Sequence, residues 1–163
     1  MAGTFDLKAL YAAIEDERTR RGLTWSGVAK EIAERFAKVS ASTIQGIGKS
    51  PRVEGDGVLQ ILLWLGRAPE SFVPDYGGAL VSLRPADSGK VLRWDTASIF
   101  SALDQKRTAG NMSWKEVANA IGGITPQQLK GLAKGGRTTL PEVMNVAVWL
   151  GVPASQLTRA SDT

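Results

Sequence analysis

Glutamine and lysine side chains share one face of the segment 125–134. With Leu129 set toward a core and about 100° of rotation per residue, Leu132 and Ala133 lie on the core side. The opposite face then carries Gln127, Lys130, Gly131 and Lys134, with Gln128 at its edge. An amide can donate and accept hydrogen bonds at an adenine edge, and a lysine can reach guanine or a phosphate. This face therefore indicates hydrogen bonding and charge pairing with a partner.

The segment 42–49 also places polar residues on one face, but their side chains are mostly shorter. With Ile44 inward, the outer face carries Ser42, Gln45, Gly46 and Lys49, with Thr43 at the edge. Gly46 and Gly131 both fall on the outer face, where a mid-helix glycine costs about 1 kcal/mol relative to alanine. Either the helix backbone approaches DNA or a protein closely there, or both copies retain a tolerated glycine.

Histidine and cysteine are absent from the chain. Their absence excludes Ser-His-Asp and Cys-His catalysis, nearly all zinc sites and a disulfide scaffold. No paired carboxylates lie within an apolar pattern. We therefore predict no catalytic residues, no metal ion, no cofactor and no enzymatic activity.

The charge balance permits nucleic-acid binding without requiring it. The formal net charge is +4 over 163 residues, which is a mild basic excess. Lys49 and Arg52, like Lys134 and Arg137, follow the polar faces described above. Such residues could contact phosphate, but a basic residue at a helix end also interacts favourably with the helix dipole.

The elements that must position these faces occur twice. Residues 5–32 match residues 94–121 at an offset of 89, and residues 39–72 match 124–157 at an offset of 85. The difference in offset places four extra residues in the first copy, at Glu34 to Lys38, which predicts a longer second helix there. A duplicated small unit on one chain imitates a dimer, and dimers are common among proteins that read two half-sites.

Each copy has the pattern of four or five short helices. Apolar residues recur at helical spacing, and Asp, Ser or Thr precedes most of the apolar segments as an N-cap. Thr125 with Gln128 forms a capping-box pattern, with Pro126 at the first helical position. No strand pattern stands out, although residues 79–83 could form a brief strand or lie against a unit.

We predict an all-α protein with two tandem units, residues 1–74 and 94–163, joined by a Gly/Pro-containing linker at 75–93. No apolar run approaches the roughly 18 residues needed to cross a membrane; the longest, Val58 to Leu65, is interrupted by Gln60. The N-terminus lacks a signal-peptide pattern. A cytoplasmic location without a membrane partner is therefore expected.

The motif order resembles the Xre/Cro/C1 helix-turn-helix family, with its lambda-repressor-like fold. The motifs are Leu23 to Ala29, Val39 to Ile44 and Val58 to Gly66 in the first copy. Their counterparts are Met112 to Ala118, Ile124 to Leu129 and Val143 to Gly151. The turn before the third helix is one residue longer than usual in the second copy, at Gly122-Gly123-Ile124, and longer still in the first.

The resemblance implies a transcriptional regulator that reads the major groove of double-stranded DNA as an intrachain pseudo-dimer. It implies that Gln127 and Gln128 read bases beside Thr125, and that Lys130, Lys134 and Arg137 contact bases or phosphates. In the first copy it implies DNA contacts from Ser42, Thr43, Gln45, Lys49 and Arg52. A homodimer or a protein partner is also compatible with the sequence.

A competing interpretation is a protein-interaction module, such as an antiactivator, an antitoxin-like protein or a scaffold, on the same fold. In that case the two glutamines could serve only as a helix cap and a solvated surface. Steep loss of DNA binding with added salt would separate the two functions.

Overall fold

The computed structural model describes residues 5–49, 55–87, 89–135 and 138–162. The prediction of a mainly helical protein is confirmed for these residues. Three short 3-10 helices, at Pro69–Phe72, Leu132–Lys134 and Ala154–Leu157, accompany the α-helices. The α-helices are α1 (Leu7–Arg20), α2 (Trp25–Arg35), α3 (Ala41–Gly46), α4 (Gly55–Leu65), α5 (Thr96–Ala109), α6 (Trp114–Ile121), α7 (Pro126–Gly131) and α8 (Leu140–Leu150).

A two-stranded sheet corrects the expectation of a purely α-helical chain. Strand β1 (Val91–Trp94) pairs antiparallel with β2 (Thr158–Ser161), with Val91 opposite Ser161 and Trp94 opposite Thr158. The predicted linker, 75–93, therefore ends inside a strand. The segment 79–83, which could have formed a brief strand or lain against a unit, belongs to no strand; Leu80 in it is 62% exposed, whereas Leu83 is buried in the core.

The helices begin where short polar side chains bond the backbone. Asp6 accepts from the Ala9 amide at 3.0 Å at the start of α1. Asp95 accepts from the amide of Ser98 at 3.1 Å and from its hydroxyl at 2.8 Å at the start of α5. These caps satisfy amide groups that have no partner within the first turn of the helix.

Replacing Asp95 with Ala is expected to lower the free energy of unfolding by about 1 kcal/mol, because the α5 cap is lost. In thermal denaturation this corresponds to a midpoint lower by about 2–4 °C for a protein of this size. Asp16→Ala is the control, since Asp16 is exposed and forms no ion pair within the described residues. Equal losses for the two variants would contradict the capping role.

The two halves contain the same backbone hydrogen bond between their first and last elements, so the sequence repeat has a structural counterpart. The amide of Asp6 donates to the Phe72 carbonyl at 2.8 Å, and the amide of Asp95 donates to the Leu157 carbonyl at 2.8 Å. In each half this bond joins the start of the first helix to the 3-10 helix that follows the last. As predicted, α2 is longer than its counterpart α6, with 11 residues against 8.

Helix α4 lies at the centre of the buried core. From Val58 to Trp64 every side chain is buried, and the helix contacts α1 and α2 on one side and β1 and α8 on the other. Such burial on all faces explains why its sequence is apolar nearly throughout. Among the described residues, no helix is long and apolar enough to cross a membrane.

Polar contacts tie α4 and the segment after it to the second half. Asp56 accepts from the Trp94 amide at 2.9 Å, and Gln60 donates to the Leu92 carbonyl at 2.8 Å. Glu70, only 1% exposed, accepts from the Ala154 amide at 2.7 Å. The first two bonds satisfy backbone groups of β1 that face away from β2.

Candidate nucleic-acid interface

Helix α7 is held by a cap at its start and by one buried side chain. The Thr125 hydroxyl accepts from the Gln128 amide at 3.1 Å, and the Gln128 side chain accepts from the Thr125 amide at 2.8 Å. Pro126 occupies the first turn, as predicted, and Leu129 is fully buried. The helix is thereby fixed on α6 with its other face outward.

The outer face of α7 presents an amide and two ammonium groups. Gln127, Lys130 and Lys134 are exposed, and no hydrogen bond or ion pair joins their side chains to any other described residue. Ala133, expected on the core side, is exposed instead. The 3-10 geometry of Leu132–Lys134 rotates each residue further than an α-helix does, so the assignment from helical spacing is wrong at Ala133, although Leu132 is buried and Lys134 is exposed as predicted.

Helix α3 is held in the same way as α7, by a cap and one buried side chain, but fewer polar side chains on its outer face are free to bind a partner. Ile44 is fully buried, and the Ser40 hydroxyl accepts from the Thr43 amide at 3.2 Å. The same hydroxyl lies 3.2 Å from the Ser42 hydroxyl and 2.7 Å from the Thr43 hydroxyl. The side chains of Gln45 and Lys49 are exposed and have no polar partner among the described residues. The polar residues free to bind on this face are therefore Gln45 and Lys49.

Both outer faces contain a glycine with open space above it. A methyl group built on Gly46 or Gly131 would meet no atom within 4 Å. Intramolecular packing therefore does not require glycine at either position. Because glycine has no side chain, a partner could approach the helix backbone closely at these two positions.

The turns before α3 and α7 differ in construction. Gly122 and Gly123 have φ of 82° and 71°. A side chain is strained at such angles, so two glycines suit this turn. In the first half the chain leaves α2 at Phe36 and reaches the Ser40 cap without a positive φ. The longer α2 and this glycine-free turn carry the extra residues predicted there.

A carboxylate lies beside the start of α7, a neighbour that the sequence analysis missed. The Gln128 amide nitrogen is 3.4 Å from a Glu142 carboxylate oxygen. Glu142 also caps α8, where it accepts from the Thr139 amide at 3.3 Å. The capping pattern Thr139 to Glu142 is visible in the sequence, but its position next to α7 depends on the tertiary fold. Gly57 is the repeat counterpart of Glu142, so the first half lacks this negative charge.

A second carboxylate, Glu116, lies in the first turn of α6. The pKa of Glu116 is lowered from its ordinary value because its carboxylate accepts a hydrogen bond from the Ser113 backbone amide. A lowered pKa means that this bond stabilises the fold above the ordinary pKa and is lost as the pH falls. Its repeat counterpart is Gly27, so again only the second half carries the charge.

The tryptophans at the starts of α2 and α6 are ordered by neighbouring side chains. Trp25 stacks on Tyr11 with centroids 5.7 Å apart, and Trp114 stacks on Phe100 at 5.2 Å. Arg18 and Arg107 each lie 4.8 Å above the indole ring in their half. Both tryptophans are partly buried, and these aromatic pairs pack the start of the second helix in each half against the first helix.

The arginines at the end of α1 are engaged within the chain. Arg18 pairs with Glu15, Arg20 with Glu17, and Arg21 with both Glu17 and Glu31. Their charges are therefore neutralised locally. Arg52 and Arg137, which were predicted to contact DNA, lie outside the described residues.

The two glutamines of α7 should respond differently to replacement. Gln128→Ala removes half of the capping box and should lower stability by about 1 kcal/mol. Gln127→Ala removes an exposed side chain without partners, so stability should change by less than about 0.5 kcal/mol. If Gln127 reads a base, its loss should weaken binding to the preferred duplex by about 1–3 kcal/mol.

Thermal denaturation and binding titrations on preferred and scrambled duplexes would measure both effects. Loss of stability in Gln127→Ala, or unchanged DNA preference in that variant, would contradict the assigned roles.

Comparison of the chain with known proteins finds no match among protein-family models, curated proteins or solved structures. The assignment of a function therefore depends on the residues and the geometry described above.

Proposed function

We propose that the chain is a transcriptional regulator that binds double-stranded DNA through the outer faces of α3 and α7. The observation that carries the proposal is the pair of exposed faces. Each helix is held by one fully buried side chain, Ile44 or Leu129, and its outer face presents an amide and a lysine whose side chains have no polar partner among the described residues. Amide and ammonium groups at this spacing can bond base edges and phosphates in the major groove.

The repeat favours binding by one chain as a pseudo-dimer. Two lambda-repressor-like helix-turn-helix units in one chain would each place their third helix, α3 or α7, in the major groove. The hydrogen bonds that Asp56 and Glu70 accept and that Gln60 donates would limit the relative motion of the two units. A fixed relation between two reading helices sets the spacing of the half-sites that they can contact together.

Within this proposal the exposed lysines bind phosphate and Gln127 reads a base. Gln128 and Thr125 act mainly as the α7 cap, which leaves fewer side chains for base reading than the resemblance implies. Glu142 would repel phosphate near Gln128, so the direct base contact of α7 would come from Gln127 and its phosphate contacts from Lys130 and Lys134. In α3, Gln45 would have the corresponding base-reading role.

A salt titration tests the proposal. Fluorescence anisotropy of a labelled duplex, selected from a random pool by the protein, should show log K falling linearly with log salt concentration. Scrambled duplexes should bind more weakly than the selected one at every salt concentration. Absence of any DNA binding at low salt would refute the proposal.

A protein-interaction module is the second candidate function. The open space above Gly46 and Gly131 favours it, because such a surface would also accept a packed helix or strand of another protein. The carboxylate of Glu142, 3.4 Å from the Gln128 amide nitrogen, disfavours phosphate near α7 and so points the same way. A protein of this class would show no salt-dependent binding to duplexes.

A further inference from the structure

The outer side of α4 is covered by the strand that begins the second half. Asp56 accepts from the Trp94 amide at 2.9 Å, and Gln60 donates to the Leu92 carbonyl at 2.8 Å. Leu63, on the same side of the helix, is 8% exposed. The three side chains of α4 are spaced by four and three residues, so they form one stripe along the helix. A strand therefore covers this stripe and binds it through backbone groups.

The matching stripe of α8 is only half-buried. At the repeat offset of 85, its residues are Pro141, Asn145 and Val148. They lie on the side of α8 opposite Val143 and Ala147, which are buried in the core. The Asn145 side chain has no polar partner in the part of the chain that the structure describes. The second half therefore leaves partly open a surface that the first half covers.

Small residues extend this open surface toward the end of α8. In the first half, Arg21 and Glu31 cover the buried ring of Trp64. Their counterparts at the offset of 89 are Gly110 and Ala120. These two residues are too short to cover the half-exposed tryptophan of α8 in the same way. The end of α8 therefore presents apolar surface to a partner.

The segment 80–84 complements the outer stripe of α8. Leu80 and Val81 are 62% and 37% exposed, although both side chains are large and apolar. The backbone groups of this segment form no hydrogen bond with any described residue. Free backbone donors and acceptors can bond the amide of Asn145, as the backbone of β1 bonds the stripe of α4.

The two surfaces also carry opposite charges. Arg84 is exposed, and its guanidinium forms no ion pair within the described ranges. Glu142, next to Pro141 at the start of α8, is negatively charged. In the first half, Arg93 of the covering strand pairs with Asp56 at the start of α4 at 3.3 Å. The guanidinium of a bound segment 80–84 can pair with Glu142 in the same way.

We propose that the chain forms a two-fold symmetric dimer in which segment 80–84 of each copy binds the outer stripe of α8 of the other. The Asn145 amide bonds the backbone of the segment, Leu80 packs on Val148, and Arg84 pairs with Glu142. A second copy is needed because the described residues make none of these contacts within one chain. Each copy uses both surfaces, so the dimer closes and does not extend into a filament.

The dimer is expected to be weak. Each segment contributes two large apolar side chains, so each copy buries less than the roughly 800 Å² of a standard interface. We expect a Kd on the order of 100 µM. The proposal goes beyond DNA binding and does not depend on it, and its tests omit DNA.

Sedimentation velocity of the full chain between about 5 and about 500 µM tests the proposal. The sedimentation coefficient should rise toward that of a dimer across this range. Leu80→Asp should raise the Kd about tenfold or more, since it places a charge in both apolar contacts. Ser26→Asp adds the same charge at an exposed position on α2 and should leave the Kd unchanged. A chain that stays monomeric throughout, or equal effects of the two variants, would overturn the proposal.

Engineered cysteines locate the contact, because the chain has no cysteine of its own. A mixture of Leu80→Cys and Val148→Cys chains should form a disulfide-linked dimer under mild oxidation, since a disulfide requires Cα atoms about 4.4–6.8 Å apart. A mixture of Leu80→Cys and Ser26→Cys chains should show only the cross-linking of random collisions. Equal cross-linking in the two mixtures would mean that segment 80–84 does not bind α8 of a second copy.

Discussion

Removing three lysines, by Lys49→Ala, Lys130→Ala and Lys134→Ala in one chain, should reduce DNA affinity on the order of several hundredfold at 0.1 M salt. Each phosphate contact contributes about 0.9 to the slope of log K against log salt concentration. Loss of all three contacts should therefore lower the magnitude of that slope by about 2.7. The three lysines are exposed and have no intramolecular partner among the described residues, so folding should be unaffected.

A matched control removes the same charge elsewhere. Lys8, Arg84 and Arg159 are also exposed but lie on α1, in the segment before β1 and on β2. Their triple replacement by alanine changes the net charge equally and should alter the salt slope far less. If both triple variants lose the same affinity, binding depends on net charge alone and α3 and α7 are not the interface.

Trp64→Ala should lower the free energy of unfolding by about 3–5 kcal/mol, as for other buried aromatic residues. Trp64 is 2% exposed on α4, and its indole N–H donates to Glu31 at 3.2 Å. Arg21 covers the ring at 5.0 Å. The variant therefore leaves a cavity in the core beneath Arg21 and removes a link to α2. Chemical denaturation followed by circular dichroism measures the loss.

The repeat provides the control for this prediction. Trp149 is the counterpart of Trp64 in α8 but is half-exposed, with the Lys106 ammonium 4.2 Å from its ring. Trp149→Ala should lower the free energy of unfolding by only about 1–2 kcal/mol, because Trp149 buries less apolar surface than Trp64. A Trp64→Ala loss no larger than that of Trp149→Ala would contradict the central position of α4.

Local signals predicted most of the helices. The caps at Asp6, Thr24, Ser40, Ser113, Thr125 and Thr139 mark helix starts correctly, because a cap bond joins residues only a few positions apart. The sheet escaped prediction because β1 and β2 are four residues each and come from distant parts of the chain. Their pairing depends on α4, whose Asp56 and Gln60 satisfy the outer edge of β1.

The candidate interface was predictable in part for the same reason. The outward position of Gln127, Lys130, Gln45 and Lys49 follows from helical spacing and one buried anchor in each helix. The approach of Glu142 to Gln128 joins residues 14 positions apart on different helices, so helical spacing could not reveal it. The capping role of Gln128 follows from the local Thr125–Gln128 pattern, whereas the negative charge beside it required the tertiary structure.

A hydroxyl-radical footprint on a selected duplex, combined with the stoichiometry of the complex, tests the central claim most directly. If α3 and α7 of one chain both enter the major groove, a complex of one chain per duplex should protect two segments on one face of the DNA. Protection near one of them should weaken in Lys49→Ala and near the other in the double variant Lys130→Ala and Lys134→Ala. No protection at low salt, or a footprint unchanged in these variants, would contradict DNA reading by these two helices.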